Sequence, residues 1–268
     1  MGLKTPPVSL SRYHARVGRA LNKTLDQLGS GKRVRKAADN PATSAILKRL
    51  EAHERALSAA QQNTHDARSV SDTLDSAMNH QQALLTRMRE LSVQASNGTL
   101  TDDQRRMVQN EFEGLRSDLD RVANNTKLGG ASLFSGGNFE IQVGATAGPD
   151  SQIALEVPQT SVSFLGLGTA EVGTAFGATS SIEMIDRAIE HINESRAAVG
   201  STHNRMGHAS DFLQKRIEQY RATQSQMGDT DFAEASSKLA LQKFQMRANE
   251  RVMQIQNQQR GQLLNLLA

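Results

Sequence analysis

The stretch ATSAILKRLEAHERALSAAQQNTHDARSVSDTLDSAMNHQQALLTRMRELSVQA, Ala42 to Ala95, holds neither Gly nor Pro, and its small and apolar residues recur every seven positions. One column reads Leu50, Leu57, Thr64, Ser71, Met78, Leu85, Ser92, and the column three places on reads His53, Ala60, Ala67, Leu74, Gln81, Met88, Ala95. A third column, Ala56, Asn63, Val70, Ala77, Leu84 and Leu91, widens the seam. This period puts one stripe on one helical face. It predicts a single helix of roughly 80 Å at ~1.5 Å per residue. The seam is rich in Ala, Ser and Thr, which bury little area each, so the helix needs partner helices along its whole length.

Working outward, Pro6-Pro7 precedes a first helix from about Val8 to Leu28, with Leu10, Val17, Leu21, Leu25 and Leu28 on one face. Gly29-Ser30-Gly31 ends it, since paired glycines favour left-handed backbone and leave a flexible joint. A basic linker, Lys32 to Asn40, leads to Pro41, which suits the first turn of the long helix. Beyond Ala95, Asn97-Gly98 stops that helix. Thr101 and Gln104 then form a capping-box signature, with Asp102 and Asp103 complementing the helix dipole. Val108, Phe112, Leu115, Leu119 and Val122 give this next helix its apolar face, and it stops near Asn124-Asn125. The short connection makes the two helices antiparallel neighbours.

From Leu128 to Ser180 the chain turns to Gly, Ser, Thr and Ala. Phe139, Ile141, Val143 and Ile153, Leu155, Val157 alternate on either side of Gly148-Pro149-Asp150, which predicts a β-hairpin over about 138–158. The part from Phe164 to Thr179 reads as irregular. Ser180 or Ser181 is expected to cap another long helix carrying Ile182, Ile185, Ile189, Ile192, Val199, Met206, Phe212 or Leu213, Ile217 and Tyr220, ending near Met227-Gly228. Asp229-Thr230-Asp231 opens the last helix. Its Phe232, Leu239, Met246 and Met253 form one stripe, while Leu241, Ala248 and Ile255 form a second about 200° away, at ~100° per residue. Two opposed apolar faces mean two partners: the first helix and a neighbouring subunit. The apolar Leu263, Leu264, Leu266 and Leu267 also need cover. The fold class is therefore mainly α: an elongated antiparallel helical bundle or coiled coil with a small β-hairpin. Residues 1–36 and 229–268 form paired terminal helices, and 37–228 a rod of three long helices plus the hairpin.

Composition removes most other readings. Aromatic residues make up 4% of the 268, with no Trp, which disfavours a large globular core. The absence of Cys excludes disulfides and thiolate chemistry. No run approaches the ~18 apolar residues of a membrane span, and Met1 to Leu21 lacks the apolar centre of a signal peptide, so if the protein is exported it uses another route. The net charge of +3 hides an asymmetry: +8 over residues 1–36, +2 over 231–268, and −7 between them. Arg12, Arg16, Arg19 and Lys23 lie opposite the apolar stripe with no aromatic stacking platform, so a solvated helix face is expected rather than nucleic-acid binding. Gly29-Ser30-Gly31-Lys32 is followed by Arg33 rather than Ser or Thr, unlike a phosphate loop. His203 and His208 are five apart, the wrong spacing for a shared metal on one helical face. Nothing groups a nucleophile, base and orienter. No catalytic, cofactor or metal site is expected.

Several ordered segments together resemble bacterial flagellin. Ser30-Gly31-Lys32-Arg33-Val34 through Ala37-Ala38-Asp39-Asn40-Pro41-Ala42 is similar to that family's linker, which usually reads S-G-L-R-I-N-S-A-K-D-D-A-A. Arg87-Met88-Arg89-Glu90-Leu91-Ser92-Val93-Gln94-Ala95-Ser96-Asn97-Gly98-Thr99 resembles its most recognisable segment. Gln109 to Phe112, Asp120 to Ala123, Phe139 to Ala145, Asp229 to Glu234 and Leu263 to Leu267 also match. Met1 to Ser11 lacks the usual I-N-T-N opening, and Arg260-Gly261 replaces a usual Pro.

The resemblance implies an extracellular, non-enzymatic subunit of the flagellar filament. In that family the terminal helices form an inner tube, and the middle helices and hairpin an outer one. The variable outer domain grows between positions corresponding to about Gly144 and Ser180, so this chain resembles a minimal member. Further implied are unfolded export through the flagellar type III apparatus, a chaperone holding the last helix, and filament cap and hook-associated proteins at the growing structure. In flagellins of some bacteria the segment matching Arg87 to Gln94, with the surface matching Glu111, is recognised by Toll-like receptor 5. The matching residues here are Arg87, Arg89, Glu90, Leu91, Gln94 and Glu111. Self-assembly contacts are expected at Leu10, Val17, Leu21, Leu25, Leu28, Phe232, Leu239, Leu241, Met246, Met253, Ile255, Leu263, Leu264, Leu266 and Leu267. Two alternatives remain at this point: a hook–filament junction protein, and a coiled-coil module gripping an anionic polymer.

Overall fold

The computed structural model describes the backbone of residues 8–267 and, within it, the side chains of 11–259 and of 262. Five helices carry most of the chain: α1 (Val8–Ser30), α2 (Pro41–Ser96), α3 (Asp102–Asn125), α4 (Ala175–Gly228) and α5 (Phe232–Leu267). Between α3 and α4 lie β1 (Lys127–Leu128), β2 (Ala131–Ser132), β3 (Ser135–Gln142), a 3₁₀ turn (Pro149–Ser151) and β4 (Gln152–Gln159). The chain divides into two compact units, residues 1–54 with 218–268, and residues 55–217.

In the second unit, α2 buries Leu57, Ala60, Thr64, Ala67, Val70, Ser71, Leu74, Met78, Gln81, Leu85, Met88, Leu91, Ser92 and Ala95, following the heptad columns. Buried hydroxyls need an acceptor. Thr64, Ser71 and Ser92 donate to the carbonyls of Ala60, Ala67 and Met88 on the preceding turn, at 2.8, 3.0 and 2.8 Å, so polar residues occupy the seam without an orphaned donor. Buried Gln81 donates to Thr160 Oγ1 at 2.9 Å. α4 runs antiparallel to α2, as Arg89–Asp186, Arg196–Asp75 and His203–Asp72 show by their falling and rising numbers. It buries Ile185, Ala188, Ile192, Val199, Met206, Leu213 and Ile217. Of the two candidates at 212 and 213, Leu213 faces the core, and Phe212 is 59% exposed.

The capping box of α3 forms as its sequence indicates. Gln104 N donates to Thr101 Oγ1, and Thr101 N donates to Gln104 Oε1. The face led by Phe112 and Leu119 then closes over the core. β3 and β4 pair antiparallel with Phe139 opposite Leu155 and Ile141 opposite Ile153, a hairpin over 135–159 rather than 138–158. A second, two-residue hairpin pairs β1 with β2 around Gly129-Gly130, whose φ of 56° and 91° suit a tight turn. That glycine pair is the signal the sequence reading passed over.

Two further corrections fall before α4. The helix begins at Ala175, capped by Thr174 Oγ1, which accepts from Gly177 N at 3.0 Å. Ser181 lies inside the helix, where its buried hydroxyl exchanges hydrogen bonds with the Glu171 backbone. The stretch from 161 to 174 is irregular as expected, yet it plugs the core with Leu165, Leu167, Ala170 and Val172. Without regular structure these residues carry no period by which to be found.

In the first unit α1 packs along α5. Val17 and Thr24 on α1 and Ala235 on α5 are buried, with Leu21, Leu28, Leu239, Met246 and Met253 half-buried beside them. Met246 lies over Gly18, where an added Cβ would sit 3.7 Å from its Cε. The unit also takes in the first turns of α2 and the last of α4. Glu54 pairs with Arg221 at 2.7 Å, His53 stacks on Tyr220, and Leu47 lies against Gly228.

Candidate assembly surfaces

The joints at either side of the α1/α5 pair are bound to one another rather than loose. Gly31, in left-handed backbone at φ 67°, turns the chain so that Lys32 forms an antiparallel bridge with Asp229. Arg33 N donates to Gly228 O at 2.7 Å, and Thr230 N to Gly31 O at 2.9 Å. Lys32 Nζ meets Asp229 Oδ1 at 2.6 Å, and Ser225 donates to the other carboxylate oxygen. Lys32 first, then Ser225, holds the Asp229 carboxyl below its ordinary range. Arg221, then Gln224, does the same for Glu54, and Lys23 with the backbone N–H groups of Lys36 and Arg35 for Asp39. Asp231 Oδ1 accepts from Ala233 N and Glu234 N, starting α5 where the sequence placed it.

α5 presents two faces. The face toward α1 is that of Ala235, Leu239, Met246 and Met253. The other carries Leu241, Phe244, Val252 and Ile255, which are 57%, 71%, 43% and 52% exposed. Phe244 and Val252 belong to this second stripe although only Leu241, Ala248 and Ile255 were read from the heptad column. Their i+3 and i+4 spacing was the available signal. On the expected stripes two residues stand apart. Leu25 is 44% exposed because α1 meets α5 along Val17, Leu21, Thr24 and Leu28, a spacing that turns Leu25 to the flank. Phe232 is 57% exposed at the start of α5, beside the end of α1, where Gly29 and Gly31 bring no side chain to cover a ring. The side chains of Leu10, Leu263, Leu264, Leu266 and Leu267 lie outside the described residues.

On α2 the Arg87 guanidinium reaches Glu111 Oε1 at 2.7 Å and Glu90 Oε2 at 3.0 Å. Glu111 first, then Glu90, pushes its pKa up. Arg89 bonds Asp186 Oδ1 at 2.6 Å, a partner on α4 that the sequence reading lacked. Arg87, Arg89, Glu90, Gln94 and Glu111 are exposed, but Leu91 is 1% exposed and belongs to the core. Its seam position points it inward, away from the exposed face that carries Arg87 and Glu90.

Paired terminal helices with an uncovered apolar face, joined to a helical bundle, define a protein that completes its packing by associating with other chains. Bacterial flagellin N-terminal helical region matches residues 6–138, and bacterial flagellin C-terminal helical region matches residues 182–267. Flagellin of Halalkalibacterium halodurans is 28% identical over 259 residues, 95% of each chain. Flagellin of Bacillus subtilis is 27% identical over 285 residues, 92% of this chain and 93% of that one. The crystal structure of Bacillus cereus flagellin is 30% identical, with a TM-score of 0.50 over 56% of this chain and 88% of that one. The chain belongs to the bacterial flagellin family. It is a structural, non-enzymatic subunit of the flagellar filament, which self-assembles outside the cell.

Proposed function

We propose that the α1/α5 pair, residues 1–36 and 229–268, forms the inner layer of the filament, and residues 37–228 the outer layer. The observation that carries this reading is the second face of α5. Leu241, Phe244, Val252 and Ile255 form a contiguous apolar stripe that α1 does not cover, and a stripe of that kind on a self-assembling chain is an interface with the next copy. Leu10, Val17, Leu21, Leu25, Leu28, Phe232, Leu239, Met246, Met253 and the four terminal leucines complete the inner-layer contacts, within or between subunits. The same stripe needs shielding before assembly, which supports an export chaperone on the last helix. Passage through the type III export apparatus, and contacts with filament cap and hook-associated proteins, follow from family membership. In the free subunit Arg87, Arg89, Glu90, Gln94 and Glu111 form the surface offered to Toll-like receptor 5.

A chain lacking residues 231–268 tests the reading. Under salting-out conditions that turn the full chain into fibres, the shortened chain is expected to stay monomeric in sedimentation and to give no fibres by electron microscopy. Equal fibre yield from both would overturn it.

A further inference from the structure

Beside α2, where the β1–β2 turn and β3 lie against it, the second unit has a cavity of about 450 Å³. Ala67, Val70 and Leu155 form its buried floor, and Leu128 and Phe139 stand at its mouth, 52% and 38% exposed. Asp66 and Glu140 lie on the rim, both exposed, and neither has an ion-pair partner among the described residues. An apolar hollow edged by carboxylates fits an apolar side chain that brings a cation with it.

The same unit carries such a group on another helix. Phe212 projects from α4, and the Arg216 guanidinium, one turn on, lies over its ring at 5.6 Å from the centroid. Lys215 is exposed beside them. Nothing in the α4 core requires an aromatic ring here, since Leu213 already fills the seam position. A ring with a cation on its face, held on a rigid helix, is the residue pattern of an interface anchor.

We propose that Phe212 of one copy seats in the α2/β3 cavity of another, with Arg216 and Lys215 set against Asp66 and Glu140. The occupant is a second copy because the chain self-assembles and because an apolar ring flanked by cations matches an apolar hollow flanked by carboxylates. The anchor is on α4 and the cavity is lined by α2 and the two hairpins, so in a filament the contact is heterologous and passes from each copy to the next. This proposal rests on the filament reading and adds to it a contact outside the terminal helices.

The chain contains no cysteine, so introduced thiols report contacts without background. Asp211→Cys, exposed beside Phe212 and leaving the ring in place, and Ala131→Cys, at the exposed cavity mouth on β2, are mixed in equal parts with wild-type chain, salted out into fibres and treated with a short bis-maleimide. Fibres containing both variants are expected to yield covalent dimers of twice the 29.2 kDa chain. Fibres with either variant alone, and the unassembled mixture, should yield none. Both variants present in the fibres without dimers would overturn the contact, as would equal dimer formation by Asp211→Cys alone. Absence of fibres even from wild-type chain would instead overturn the filament reading, and this contact with it.

Discussion

Leu91 and Arg89 sit two positions apart on α2 and serve different ends: one is sealed in the core, the other bonds Asp186 across to α4. A motif read as a block assigns both to one surface, whereas the heptad column already placed Leu91 in the seam. The same logic separates Leu213 from Phe212. Buried Thr64, Ser71 and Ser92 show how a seam with so few large residues is tolerated, each hydroxyl being satisfied by its own helix. The large side chains that remain must then carry a disproportionate share of the packing. Phe112, 0% exposed in the core cluster, is the most telling. Phe112→Ala is expected to cost about 3–5 kcal/mol, read as a fall in the urea midpoint of residues 55–217 within the full chain. A cost under about 1 kcal/mol would mean the core collapses around the loss.

At the scale of elements, α1, α2, α3 and α5 were legible within a residue or two, because caps and glycines mark their ends. Thr101, Asp231 and Gly31 each do in the structure what their chemistry indicates. The start of α4 was not legible. Ser180-Ser181 resembles a cap as well as Thr174 does, and only tertiary packing against Glu171 decides between them. The joint between α1 and α5 was legible as glycines but not as a pair of bridged segments, since pairing across nearly 200 residues leaves no local trace.

The Lys32–Asp229 ion pair at that bridge, and the Glu54 and Asp39 pairs in the same unit, make the joint region sensitive to acid. Asp229, Glu54 and Asp39 are all pulled below their ordinary values by Lys32, Arg221 and Lys23. Their contribution is therefore complete above the ordinary carboxylate range and is lost as pH falls through the lowered folded values. Amide protection at 31–33 and 228–230, followed by hydrogen exchange, is expected to weaken below about pH 4. The Asp229→Asn/Glu54→Gln variant should show a flatter dependence. Protection that stays constant down to about pH 2.5 would contradict this account of the joint.

For the whole molecule, the low aromatic content, the heptad spacing and the two stripes of α5 all point to a chain whose packing is finished by copies of itself. Family membership agrees with that chemistry. The terminal stripe was visible in the sequence because helical period survives in any environment. The cavity beside α2 was invisible because its walls come from α2, two hairpins and a turn that only the fold brings together.

The most direct test of the central claim, that α5 has one face for α1 and another for the next subunit, is a paired comparison by electron microscopy after salting out. Leu241→Glu/Ile255→Glu charges the outer face and leaves the α1 side untouched; Met246→Leu alters the inner face conservatively. The first variant is expected to keep wild-type helix content by circular dichroism yet give no fibres, while the second assembles like wild type. Normal fibres from Leu241→Glu/Ile255→Glu would contradict the account.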